Sequence, residues 1–93
     1  GISCTVEPIE DGLRLTASIR LPRQPGTETV AVETADPAVW VSEATSQRDG
    51  KTLVATADLV GPSGAPFSLD RSGLTVTVIH DGGAVEIAGC PAP

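Results

Sequence analysis

Few side chains here have the chemistry to act on a substrate, and those that do stand apart from one another. His80 is the only histidine. A zinc site built on it would need carboxylates or cysteines from elsewhere, and no ligand spacing points to them. With Asp81 and a serine it would complete a hydrolase triad, yet adjacent strand residues face opposite ways and cannot serve as base and orienter. There is no Gly-x-Ser-x-Gly elbow. Glu7, Glu10 and Asp11 gather near a turn without the regular ligand spacing of a calcium loop, and are read as solvated turn residues. Gly61 to Gly64 is followed by neither Lys-Ser nor Lys-Thr and leads into no helix, so it is not a phosphate loop. Cys4 and Cys90 lack the Cys-x-x-Cys spacing of a redox catalyst. No catalytic residue, metal ligand or cofactor is assigned, and the chain is expected not to be an enzyme.

The two cysteines matter for another reason: they stand near the opposite ends of the chain. A Cys4–Cys90 disulfide is the expected pairing, joining the first extended segment to the last in an oxidising compartment. Two separate thiols, each buried as a small hydrophobe, are the alternative. With the disulfide goes an expected export signal, absent from this chain, which begins at Gly1 with no charged and apolar leader.

The chain has 93 residues, the size of one domain with a limited core. Its 40% hydrophobic content is mostly Val, Ala, Leu and Ile, with one Trp and one Phe. Twelve acids against six bases give a net charge of -6. That balance disfavours nucleic acid and anionic membranes, which call for a basic face. No apolar run approaches the ~20 residues of a membrane span, so insertion is not expected.

Period-two alternation dominates. Leu13, Leu15, Ala17, Ile19 and Leu21 alternate with Arg14, Thr16, Ser18 and Arg20, the pattern of a strand with one wet face. Leu74, Val76 and Val78 alternate with threonines, and Val85 and Ile87 flank Glu86; Asp81-Gly82-Gly83 between them predicts a hairpin. Further strands are expected over Thr27–Thr34, Thr52–Leu59 and the N-terminal run Ile2 to Val6. Val39–Thr45 is read as a strand following a turn at Asp36-Pro37. Turn residues recur between these runs, so about seven short antiparallel strands form an immunoglobulin-like β-sandwich spanning 1–93 as a single domain. Cys90 has the parity of Glu86 rather than of Val85 and Ile87. Either Gly89 turns the sulfur inward or the bridge sits at the rim.

Function is then expected on the exterior. Arg14 and Arg20 share the wet face of the strongest strand, with Thr16 and Ser18 between them and Arg23 in the next turn. In an acidic protein such a strip could draw an acidic partner; pairing with acids on neighbouring strands is the competing use. Trp40 is expected in the core, with a surface contact as the alternative.

The segment Asp70-Arg71-Ser72-Gly73-Leu74-Thr75-Val76-Thr77-Val78-Ile79-His80-Asp81-Gly82 resembles the CsgC-like curli chaperones, in which an Asp-Arg pair leads into a Val/Thr strand closing on Asp-Gly. One cysteine near each end is similar to the alphaproteobacterial CsgH branch, and the Cys-x-Cys pair of the enteric branch is missing. The resemblance implies a periplasmic immunoglobulin-like protein, expected to be monomeric, that restrains the curli amyloid subunit through transient contacts. Arg14, Thr16, Ser18, Arg20 and Arg23 are the expected partner-binding residues. An extracellular binding or spacer module is the alternative. A small-ligand carrier of the enediyne-apoprotein type fits less well, since those proteins use two short-range disulfides.

Overall fold

Alternating aliphatic and polar residues favour extended chain, because only a pleated strand sends successive side chains to opposite faces. The computed structural model describes residues 1–93. Its strands in chain order are β1 (Ile2–Ile9), β2 (Gly12–Arg20), β3 (Thr29–Glu33), β4 (Trp40–Val41), β5 (Thr45–Asp49), β6 (Thr52–Val60), β7 (Thr75–His80) and β8 (Gly83–Ala88). One sheet runs β1-β2-β6 with β4 and β5 both on the far side of β6; the other runs β3-β7-β8. All pairings are antiparallel. Because β4 and β5 share one edge position, the order matches the four-plus-three arrangement of a constant-type immunoglobulin domain. No helix is long and apolar enough to cross a membrane.

The core follows from the register. Leu13, Leu15, Ala17 and Ile19 stand opposite Leu59, Ala57, Ala55 and Leu53, so one face of β2 and β6 is a continuous aliphatic layer. It joins Val30, Val32, Leu74, Val76 and Val78 of the second half in a single buried cluster. Each valine, leucine or isoleucine among them contributes about 1.5–3 kcal/mol on full burial and each alanine less, and with so few aromatics the layer consists of small units.

Two ties link the sheets, one on each side of the sandwich. On one side Cys4 and Cys90 form a disulfide across a Cα–Cα distance of 5.6 Å and a sequence separation of 86. Strand β8 ends at Ala88, and Gly89 takes φ +80°, a left-handed conformation that glycine adopts without a Cβ clash. That turn carries Cys90 inward, where it is buried, which decides between the two placements considered from parity. Hydrogen bonds reinforce the bridge: Cys4 N–H donates to the Pro91 carbonyl at 2.8 Å and Cys90 N–H to the Arg71 carbonyl at 3.1 Å. The Arg71 guanidinium donates to the Cys4 carbonyl at 2.6 Å. Arg71 is placed by a single 3-10 turn, Arg71–Gly73, whose cap Asp70 accepts from the Ser72 backbone N–H at 3.0 Å and the Ser72 hydroxyl at 2.6 Å. Those bonds hold the Asp70 carboxyl below its ordinary range.

On the other side Arg48 of β5 turns inward and meets Glu28, just ahead of β3. Nε donates to one carboxylate oxygen at 3.0 Å and Nη2 to the other, while Nη1 reaches the carbonyls of Leu21 and Gly50. The backbone N–H of Gln24 adds a bond to the same carboxylate at 3.1 Å.

Two expectations need correction. The run Val39–Thr45 is not one strand: only Trp40 and Val41 pair with β6, and pairing resumes at Thr45. Val41 faces Leu59 and Thr45 faces Thr56, leaving three residues on this side against two on β6, which is a one-residue bulge. Ser42 holds it by donating its N–H to the Asp58 carbonyl at 2.9 Å and accepting the Asp58 N–H on Oγ at 2.8 Å. Trp40 is not in the core. It stands opposite Val60, on the outward parity of β6, and is 61% exposed; Val41 takes the inward position instead.

Candidate partner-binding face

The outer face of the five-stranded sheet is read directly from cross-strand partners. At one end Glu7, Arg14 and Asp58 form a row; next come Thr5, Thr16, Thr56 and Thr45; then Ser3, Ser18, Val54 and Gln47; last Arg20, Thr52 and Asp49. Short hydroxyl side chains thus occupy the middle, and charges stand at the two ends. This layout arises because β2 and β6 are equal in length and both alternate from end to end.

Of the expected binding residues, Arg14, Thr16, Ser18 and Arg20 do share this face, but they do not make a uniform positive strip. Arg14 Nε donates to Asp58 Oδ1 at 3.0 Å and Nη2 to Oδ2 at 3.4 Å, with Glu7 on its other flank. The bond Arg14 donates to Asp58 and the charge of that carboxylate raise the Arg14 pKa, with Glu7 adding to the effect. An exposed pair of this kind is worth little to stability, yet it removes Arg14 as a free cation. Six residues along a strand is roughly 20 Å, so Arg20 lies well away from this pair. Arg20 has no ion-pair partner.

Arg23 sits off the face, in the turn region, lining an open cleft of about 460 Å³ with Glu28, Arg48 and Asp81. Gly26 permits that arrangement: with φ +72°, a Cβ there would lie 2.0 Å from Asp81 Oδ2. The structure adds a cation that strand patterning could not place. Lys51, in the β5–β6 turn, is brought beside the end of β2 when Leu21 N–H donates to its carbonyl at 3.1 Å. Arg20, Arg23 and Lys51 therefore collect toward one end of the molecule, none of them in an ion pair. Trp40, at the opposite end of β6, is the other addition; it precedes the bulge, and its alternation with Val39 and Val41, both packed against the core, is the local signal that turns it outward. His80 ends β7, and its Nδ1 bonds the carbonyl of Asp81 at 2.9 Å.

Fold and face together define an immunoglobulin-like β-sandwich with a hydroxyl-rich sheet exterior. No protein-family model, curated protein or solved structure matches the chain.

Proposed function

We propose that this protein is a CsgC-like curli chaperone of the CsgH branch, a monomeric periplasmic inhibitor that keeps the curli subunit from nucleating amyloid before export. It acts by weak, charge-assisted contact through the outer face of the five-stranded sheet. The observation that supports this reading is the charge at one end of the molecule, where Arg20 on that face and Arg23 and Lys51 in the adjoining turns stand outside any ion pair in an otherwise acidic protein. An acidic stretch of a client is attracted to that end against the sign of the whole, then lies along the threonines and serines toward Trp40. Amyloid grows by templating on unpaired strand edges, so a soluble sandwich that occupies early β-rich species slows nucleation without joining the fibre. Arg14, Thr16 and Ser18 belong to this contact as its central track, with Arg14 already tied to Asp58. The disulfide fits an oxidising compartment.

The test is thioflavin fluorescence of a purified curli subunit with substoichiometric amounts of this protein. A lengthened lag is expected, shortened by salt and abolished when Arg20, Arg23 and Lys51 are all changed to Glu. An unaltered lag with the native protein overturns the reading.

A further inference from the structure

A sandwich has open sheet edges, and in this one they are guarded unequally. Which backbone groups point outward follows from the alternation of hydrogen-bonded and non-bonded pairs in an antiparallel ladder. On β1 the Arg20 N–H donates to the Gly1 carbonyl at 2.8 Å, which fixes the phase and leaves Ile2, Cys4, Val6 and Pro8 facing away from β2. There Cys4 is engaged by Pro91 and Arg71, and Pro8 has no N–H to offer. On β5 the inward-pointing Arg48 charge is a recognised bar to further pairing. On β3 the outward-facing Val30 and Val32 are buried, with β5 beside them.

Strand β8 has none of these devices. Gly89 N–H donates to the Leu74 carbonyl at 2.7 Å, so Ala84, Glu86 and Ala88 turn their N–H and C=O groups away from β7. All three are exposed, and no backbone bond outside the β7 ladder reaches them. The strand, Gly-Ala-Val-Glu-Ile-Ala, contains no proline, lysine or bulge.

We propose that the β8 edge accepts an extended segment of a partner protein as a fourth strand of the β3-β7-β8 sheet. The partner's chemistry follows from the row positions. Side chains flanking Val85 and Ile87 continue the half-buried edge of the core and are apolar. The residue opposite Glu86 is basic or neutral, because like charges directly opposed destabilise a pair. Residues opposite Ala84 and Ala88 have room for threonine-sized groups beside small neighbours, with the exposed Ile79 one strand further in. The same charge rule selects against a second copy. Two β8 strands paired antiparallel in full register place Glu86 against Glu86, on molecules that each carry a charge of -6.

This surface lies on the sheet opposite the arginine-bearing face and does not depend on the function proposed above. Its test is titration of the isotopically labelled protein with a capped Thr-Val-Lys-Val-Thr peptide, followed by amide shifts and hydrogen exchange. Ala84, Glu86 and Ala88 amides are expected to shift and gain protection, with the Lys-centred peptide favoured over its Glu-centred twin by roughly fivefold. Glu86→Lys should reverse that preference. Glu86→Pro removes only an outward N–H, a position where an edge strand tolerates proline, and should abolish binding while the remaining spectrum stays folded. Shifts confined to β5 or the outer face of β2, no binding at millimolar peptide, or concentration-dependent dimerisation through β8 would each overturn the proposal.

Discussion

The Glu28–Arg48 tie should control the acid stability of the sandwich. Glu28 is 5% and Arg48 13% exposed at the side chain, and the carboxylate accepts three bonds, two from the guanidinium and one from Gln24. The Arg48 bonds pull the Glu28 pKa below its ordinary value of 4.5, and partial burial opposes them. A carboxyl whose folded pKa is lowered adds stability that is complete above its unfolded value and is lost as pH falls through the folded one. Protonation should therefore weaken the fold only below about pH 4.5. Arg48→Met keeps the bulk of the stem, strands the carboxylate and leaves the Leu21 and Gly50 carbonyls without their donor. Breaking a fully buried pair costs about 3–5 kcal/mol, and the residual exposure here brings the expected cost to about 2–3 kcal/mol. For a domain of this size that lowers Tm by roughly 10–20 °C. The assay is thermal unfolding by circular dichroism from pH 7 to 3, on the native protein, Arg48→Met and Glu28→Gln. The native protein should lose stability across the acid window, whereas Glu28→Gln, which has no carboxyl to titrate, should lose less. Parallel pH curves for all three proteins would refute the assignment.

Three further outcomes are expected. Reduction of Cys4–Cys90 opens a loop spanning 86 residues of separation, and in the chain-entropy account this costs about 4–5 kcal/mol; differential scanning calorimetry with and without reductant, beside Cys4→Ala/Cys90→Ala, measures it. Gly12→Ala places a Cβ 2.0 Å from the Leu59 carbonyl oxygen, a backbone contact with no flexible end to yield, so urea unfolding should show a loss of about 1–3 kcal/mol. Trp40, the only tryptophan and 61% exposed, should emit like a solvated indole and be freely quenched by acrylamide in the folded protein.

What the sequence made legible, and what it did not, divides by mechanism. Strands β2, β6 and β7 were readable because each buries one face with alternating aliphatic residues, and β8 because Val85 and Ile87 are half-buried on either side of the exposed Glu86. The hairpin at Asp81-Gly82 was readable because its turn calls for a positive φ, which Gly82 supplies at +89°. Strand β5, Thr-Ser-Gln-Arg-Asp, was not, since it carries no aliphatic residue. Its extended form is imposed by β6, whose backbone it pairs from Thr52 to Thr56, and by the tight turn through Gly50 and Lys51. The arginine spacing correctly placed four residues on one face, but charge pairing depends on what the adjacent strand presents. Asp58 opposite Arg14 and Thr52 opposite Arg20 are facts of register. Local alternation does not encode which strands become neighbours, so the paired and the free arginine looked alike.

The edges are more informative than the faces for the same physical cause. A face is specified by side chains and can be anticipated strand by strand, but an edge is a row of backbone groups whose availability depends on the ladder's phase and on distant residues. Pro8 blocks β1 only because its missing N–H falls on the outward parity, and Pro91 and Arg71 reach Cys4 only because the disulfide returns the chain end there. Arg48 guards β5 because a one-residue bulge at Ser42–Ala44 shifted the parity of everything after it; without that shift its guanidinium would face solvent and Gln47 would face the core. Deleting Glu43 removes the extra residue and so tests this account. It leaves Ser42 and Ala44 against Asp58 and Ala57, so β4 and β5 join in one continuous register while Arg48 stays opposite Leu53, within reach of Glu28. The expected result is a folded monomer, measurable by sedimentation, that keeps the acid sensitivity of the native protein. A deletion variant that self-associates or loses that sensitivity would show that the bulge does more than offset the parity of β4 from that of β5.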